Sequence, residues 1–139
     1  MIIKITPDKE RAKSILKMAE NTESAIKSIL AQLGVKNNPS IIAREYYEVI
    51  RELATGILLA EGIKIIGENA HKETINALSS YNELLEEEII LIQDLRIKRN
   101  KSSYEGKPIE SSYIENKKQK LDSIIKKLKI ILTKKLGAK

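Results

Sequence analysis

The chain has 139 residues, with 25 Lys/Arg against 19 Asp/Glu and a formal net charge of +6, enough length for a single domain over residues 1–139 to bury a core without covalent staples. With no cysteine and one histidine, it offers no disulfide, no thiolate metal site and no two-histidine zinc motif, so neither a metal nor a cofactor is expected. Phe and Trp are absent and 5 Tyr supply all the aromatic content, which argues against a broad base-stacking platform.

Residues 1–6 are apolar with one lysine, too short for a signal sequence and without a small-residue cleavage site, and read as an ordered extension of a cytoplasmic protein. Thr6-Pro7-Asp8-Lys9-Glu10 is a helix start, in which Thr or Asp caps, Pro fits the first turn and early acids suit the dipole. Ala12, Ile15, Leu16, Ala19, Ile26, Ile29, Leu30 and Leu33 keep a period of about 3.6, so helix one is expected over roughly 8–33, ending at Gly34.

Asn37-Asn38-Pro39-Ser40 is a turn, with Ser40 as cap of a second helix over about 41–66. Ile42, Tyr46, Val49 and Leu53 form its apolar face, and from Leu53 to Ile66 it is apolar nearly all round. Glu61 and Lys64 interrupt that run well short of the ~18 residues a membrane span requires. The expectation is a central helix contacted on several sides, with Gly56 and Gly62 admitting a close neighbour. Glu61 reads as a carboxylate at the edge of the apolar face, paired with Lys64 or with an arginine from elsewhere, rather than as a catalytic acid.

His71 falls at a corner, where a lone histidine is usually solvated or capping. On one unbroken helix over 72–99 it would lie ~40 Å from Arg99 at ~1.5 Å per residue. The two can meet only if Ser79-Ser80 breaks the helix, or across a dimer interface. Helix three carries Ile75, Leu78, Tyr81, Leu85, Ile89, Ile92 and Leu95, with a break allowed near 79–82. Its acids Glu83, Glu86, Glu87 and Glu88 lack calcium-loop spacing and read as a solvated face.

The run Ile89-Ile90-Leu91-Ile92 then passes into a cationic tip containing Arg96, Lys98, Arg99 and Lys101. Seven-residue spacing puts Arg99 on the stripe of Leu85 and Ile92, where an aliphatic side chain belongs. A guanidinium there is costly unless the groove is wet, paired with an anion or shared with a second subunit. The simpler account is helix punctuation: cations suit the carbonyl end of a helix, Asn100 tolerates a left-handed cap, and Gly106 with Pro108 ends the element.

Residues 102–112 are expected to form the one substantial loop, and functional residues gather on such loops. A last helix over about 111–136 buries Ile114, Leu121, Ile125, Leu128 and Leu132 and turns Lys126, Lys127, Lys129 and Lys134 outward. The fold class is therefore all-α, an up-and-down antiparallel bundle of four long helices with no strand. Residues 98–139 hold 13 Lys/Arg against 4 Asp/Glu, so the basic character belongs to the C-terminal third and favours a polyanionic partner. Abundant Ile, Lys and Glu with no Cys resembles a thermophile's composition.

The segment from Leu95 to Gly106, closing the third long helix of such a bundle, resembles the signature region of the HEPN superfamily, in many members of which an Arg, usually followed by a polar residue such as Asn, is separated by four to six residues from a His. The resemblance implies a HEPN-like, homodimeric helical protein that brings two copies of this tip into one cleft. Active members cut RNA without metal, the Arg holding phosphate while the His handles protons; others pair with a minimal nucleotidyltransferase in toxin–antitoxin systems or only bind RNA or nucleotide.

Arg99 and Asn100 match that pattern, while Tyr104 stands where His is expected. A phenol, with a reference pKa of ~10, is a poor base at neutral pH. The expectation is thus RNA or nucleotide binding with weak or no nuclease activity, in a toxin–antitoxin-type or nucleotidyltransferase-linked system. Arg99, Asn100 and Tyr104 form the candidate catalytic or phosphate-holding set, with Arg96, Lys98, Lys101 and Lys107 as further nucleic-acid contacts. The alternatives are an active metal-independent ribonuclease, using Tyr104 or a remote His71, and a noncatalytic subunit of a ribonucleoprotein assembly. No membrane association is expected.

Overall fold

The computed structural model describes residues 1–137. Five helices carry the fold: α1 (Lys9–Asn37), α2 (Pro39–Glu61), α3 (Ala70–Ala77), α4 (Glu86–Glu105) and α5 (Ser111–Lys135). The all-α expectation holds in its coarse form. Two short strands, β1 (Ile2–Lys4) and β2 (Ile63–Ile65), pair antiparallel with Ile3 opposite Lys64, which corrects the expectation of no strand.

That correction also shortens helix two. Its run does not reach residue 66, because Gly62 takes the left-handed conformation (φ +81°) and its backbone N–H caps the carbonyls of Leu58 and Leu59. A side chain at position 62 would collide with the Ile5 carbonyl, so only glycine permits both the turn and the approach of the N-terminal strand. Gly56 serves the second close approach, since a Cβ there would stand 3.1 Å from Leu132.

α2 is the central element and packs against α1, α3, α4 and α5. Its residues Ile42, Tyr46, Tyr47, Val49, Ile50, Leu53 and Ile57 are all buried, so two tyrosines join a core otherwise built of Ile, Leu, Val and Ala. Removing one such aliphatic side chain costs about 2–5 kcal/mol. Asp8, rather than Thr6, caps α1 by accepting from the Arg11 backbone N–H at 3.1 Å. α1 passes Gly34 with a kink and runs to Asn37, beyond the expected end, and Leu33 stays exposed. Ser40 is not a cap: Asn38 occupies that position, and the Ser40 hydroxyl instead accepts from the Ile109 N–H at 2.9 Å, tying the α4–α5 loop to the start of α2.

The expected long third helix is broken, as its Ser79-Ser80 sequence allowed. A 3-10 turn over Leu78–Ser80 follows α3, and α4 begins afresh at Glu86 with Leu85 as its half-exposed N-cap. Leu85 is therefore not part of the buried stripe, whereas Ile89, Ile92 and Leu95 are. Because the chain reverses here, α3 packs back against α4 and α2 rather than extending away from them. At its other end α4 continues to Glu105, where Gly106 (φ +68°) closes it. Asn100 is thus within the helix and caps nothing, and the irregular loop is confined to residues 106–110.

The C-terminal lysines are more occupied than their spacing implied. Lys127 reaches Glu88 and Lys129 reaches Glu23, each at 2.8 Å, Lys118 meets Asp122 at 3.1 Å, and Lys134 lies 4.0 Å from Glu83. Lys135 pairs with Glu61, which settles that carboxylate's partner as neither Lys64 nor an arginine. Three of these pairs join α5 to α4, α1 and α2, and Glu88 is tied in where Glu83 stays exposed. Glu88 has a further role, accepting from the Leu85 N–H at 2.8 Å to cap α4. No helix among the described residues is long and apolar enough to cross a membrane.

Candidate anion-binding site on α2, α3 and α4

The break at 78–85 has a chemical consequence, because it returns His71 to the neighbourhood of Arg99. Both lie against the ring of Tyr47 on α2: the Arg99 guanidinium carbon is 5.6 Å from its centroid and the His71 ring is 6.5 Å away, tilted by 54°. The ~40 Å separation of a continuous helix is therefore replaced by a shared neighbour within one chain.

Arg99 occupies the inward stripe of α4, and its side chain is only 19% exposed. Its charge is accommodated by Glu48 of α2, whose Oε1 stands 3.7 Å from Arg99 Nη2 while Oε2 accepts from Arg51 at 2.8 Å. Arg99 Nη1 donates to Asn100 Oδ1 at 3.1 Å and to the Tyr104 hydroxyl at 3.4 Å, and the guanidinium carbon lies 5.8 Å from the Tyr104 ring centre. Arg99, Asn100 and Tyr104 are thus brought together, with Tyr104 largely open to solvent. Helix punctuation does not describe this arrangement, because Arg99 lies well inside α4 and reaches across to α2.

Arg96 joins from the same helix, its Nε donating to Gln93 Oε1 at 2.7 Å. Gln93 in turn donates to the Lys72 carbonyl at 3.0 Å and to Asn76 Oδ1 at 2.8 Å, which fastens α4 to α3 and fixes the height of His71. Arg51 and Arg99 thus share the Glu48 carboxylate, and Arg96 brings a third guanidinium near Tyr47 and His71. Their field is felt by both neighbours. Burial and then Arg51 and Arg99 push the His71 pKa below its usual value, and Glu48 offsets this only in part. For Tyr47, burial raises the pKa and the three arginines oppose it. The Tyr47 side chain is fully buried and its hydroxyl has no hydrogen-bond partner among the described residues.

The remaining predicted contacts lie elsewhere. Lys98 packs 4.9 Å above the Tyr113 ring, and Lys98, Lys101 and Lys107 line a separate cleft of about 180 Å³ between the end of α4 and the start of α5. Lys107 is further drawn to Glu105 at 3.6 Å. The expected patch is therefore two patches, one centred on Arg99 and the other on these lysines.

Sequence reasoning missed Tyr47, Glu48 and Arg51 altogether. A Glu and an Arg one turn apart on a helix resemble any solvated pair, and Tyr47 follows a core tyrosine. The register of α2 sets all three on the side away from Ile42, Tyr46, Val49 and Leu53, so no local signal pointed to their contact with α4. Among the described residues no group of acids and histidine is arranged to hold a metal. No protein-family model, no curated protein and no solved structure matches the chain.

Proposed function

We propose that the protein is a HEPN-like RNA- or nucleotide-binding module that holds a phosphate against Arg99, with weak or no nuclease activity. The observation that carries this reading is the union of Arg99, Asn100 and Tyr104 in one hydrogen-bonded set, beside Arg51, Arg96 and His71. A guanidinium offers paired donors to phosphate oxygens, and Tyr104 beside it adds a hydroxyl. Glu48 holds Arg99 in the groove until a stronger anion competes for it.

The module acts as a homodimer in this reading. Along the outer face of α4, Ile90, Ile97 and Tyr104 recur every seven residues and are 62%, 43% and 77% exposed. Glu87 and Asp94 interleave with them toward one end of the stripe and Lys101 toward the other. Antiparallel pairing of two copies about Ile97 therefore places Ile90 against the partner's Tyr104 and Asp94 against the partner's Lys101. That surface is self-complementary in the order of its apolar and charged residues, as a two-fold interface requires. Arg99 points from α4 toward α2, away from this stripe, so each Arg99 cluster stays outside the pairing surface, where a nucleotidyltransferase partner of the toxin–antitoxin type would approach it.

A second reading, an active metal-independent ribonuclease, is favoured by one observation: His71 lies in the same cluster as Arg99, with its neutral form stabilised. In that reaction neutral His71 takes the proton of a ribose 2′-hydroxyl as its oxygen bonds to the adjacent phosphorus. The 5′-oxygen leaves with a proton from a hydroxyl such as that of Tyr104, giving a 2′,3′-cyclic phosphate. Arg99 balances charge on the phosphoryl oxygens. The third reading, a ribonucleoprotein subunit tracking a strand with C-terminal lysines, loses force because five of them are engaged by carboxylates.

Incubation with unstructured RNA in the presence of a chelator tests the assignment. Binding without cleavage, lost in Arg99→Ala, is expected. Cleavage abolished by both Arg99→Ala and His71→Ala would replace the binding module by the ribonuclease, and no binding at low salt would remove both.

A further inference from the structure

Arg51 also belongs to a second environment, whose lining does not include Arg99. A cleft of about 230 Å³ opens between α1, α2, β2 and α3, and its polar lining consists of Arg11, Arg51, Lys64, His71, Thr55 and Thr74. We propose that this cleft is a phosphate pocket that takes a terminal phosphomonoester, distinct from the phosphate position at Arg99.

Charge is the first argument. Two arginines, a lysine and an imidazole line the cleft and, among the described residues, no carboxylate does, in a chain that carries 19 acidic residues. Four separate elements supply them: Arg11 from α1, Arg51 from α2, Lys64 from β2 and His71 from the first turn of α3. Like charges converging from four elements repel one another, and an anion in their midst relieves that repulsion. Arg51 donates to Glu48 through Nη2, which leaves further N–H groups of its fork for a second acceptor.

Size is the second argument. At about 230 Å³ the cleft falls below the ~300 Å³ at which pockets for whole small molecules begin. A phosphoryl group with part of its ribose fits, and a base must lie outside. The rest of the lining, which includes Leu58, Leu59 and Ile63, is apolar in its side chains. A monoester carries up to two charges and three free oxygens where a diester carries one charge and two oxygens, so the surplus of donors selects a chain end or a mononucleotide over an internal phosphate.

The pocket stands whether or not a strand binds at Arg99, and the experiment separates the two. His71 is the only histidine, so its imidazole C2–H resonance in the untagged full chain is a unique reporter. Inorganic phosphate is expected to move its titration midpoint to higher pH, because a dianion stabilises the imidazolium against the opposing field of Arg51, Arg96 and Arg99. Chloride at equal ionic strength leaves the midpoint in place. The shift is lost in Arg11→Ala/Lys64→Ala, two exposed positions that leave the core intact, and is kept in Arg99→Ala. Adenosine 5′-monophosphate reproduces it and adenosine does not. A 5′-phosphorylated oligonucleotide binds about tenfold tighter than its 5′-hydroxyl twin if the source is a strand end, and equally if it is a free nucleotide. An unmoved midpoint, a shift matched by chloride, or one that survives the double substitution would overturn the proposal.

Discussion

Glu48 and Arg99 face each other 3.7 Å apart across the contact between α2 and α4, and the same carboxylate holds Arg51 at 2.8 Å. One acid thus restrains two guanidiniums, and it competes with any anion that approaches them. Glu48→Gln should therefore act in two directions. Anion affinity at Arg99 should rise by roughly three- to tenfold, since one competing charge at a half-buried site is worth about 1 kcal/mol. Stability should fall by about 1–2 kcal/mol, because both arginines lose their partner. Denaturant melts and anion titrations on the same sample check both signs.

Tyr47 is buried with an unpartnered hydroxyl, wedged between His71 and Arg99. A buried polar group without a partner costs about 1–3 kcal/mol, so Tyr47→Phe should leave stability unchanged or raise it by about 1 kcal/mol. Calorimetry decides this, and a clear loss of Tm would mean that the hydroxyl is satisfied in solution.

His71 gives the pH dependence. Its folded pKa lies below its unfolded value, first through burial and then through Arg51 and Arg99, so the unfolded chain binds the proton more readily. The associated stability is present above the unfolded pKa of ~6.5 and is lost as pH falls through the folded pKa. His71→Gln should flatten that part of the stability profile and leave the neutral region intact.

How much of this was legible in the sequence follows from the range of each signal. The core positions of α2 and α5 obey a helical period, and Ser79-Ser80 marked the reversal that brings His71 to Arg99. The three-residue strands are too short to show alternation, and their pairing depends on Gly62 closing α2. Contacts between distant helices were invisible for the same reason: nothing local in Lys135 points to Glu61, in Lys129 to Glu23, or in Arg99 to Glu48. The basic C-terminal third was read correctly as composition and too freely as surface.

The position of Gly62 predicts a local rather than a global sensitivity. Gly62→Ala must accommodate both a left-handed backbone and the Ile5 carbonyl, and should destabilise the chain by more than about 1 kcal/mol. Hydrogen exchange should quicken first at Ile5, whose N–H bonds the Gly62 carbonyl at 2.7 Å.

The α4 stripe predicts its own disruption. Ile97 sits at the centre of the proposed two-fold, so Ile97→Glu should yield a monomer with unchanged helicity. Sedimentation equilibrium distinguishes this from a dimer built on another face, which the substitution would leave intact.

The most direct test of the central claim, that Arg99 is a phosphate-holding cation rather than a structural one, is the salt dependence of RNA affinity for the native chain and Arg99→Ala. Log affinity should fall linearly with log salt, and Arg99→Ala should bind more weakly with a slope smaller by about one ion. Superimposable lines for the two proteins, with Arg99→Ala differing only in its melting temperature, would contradict it.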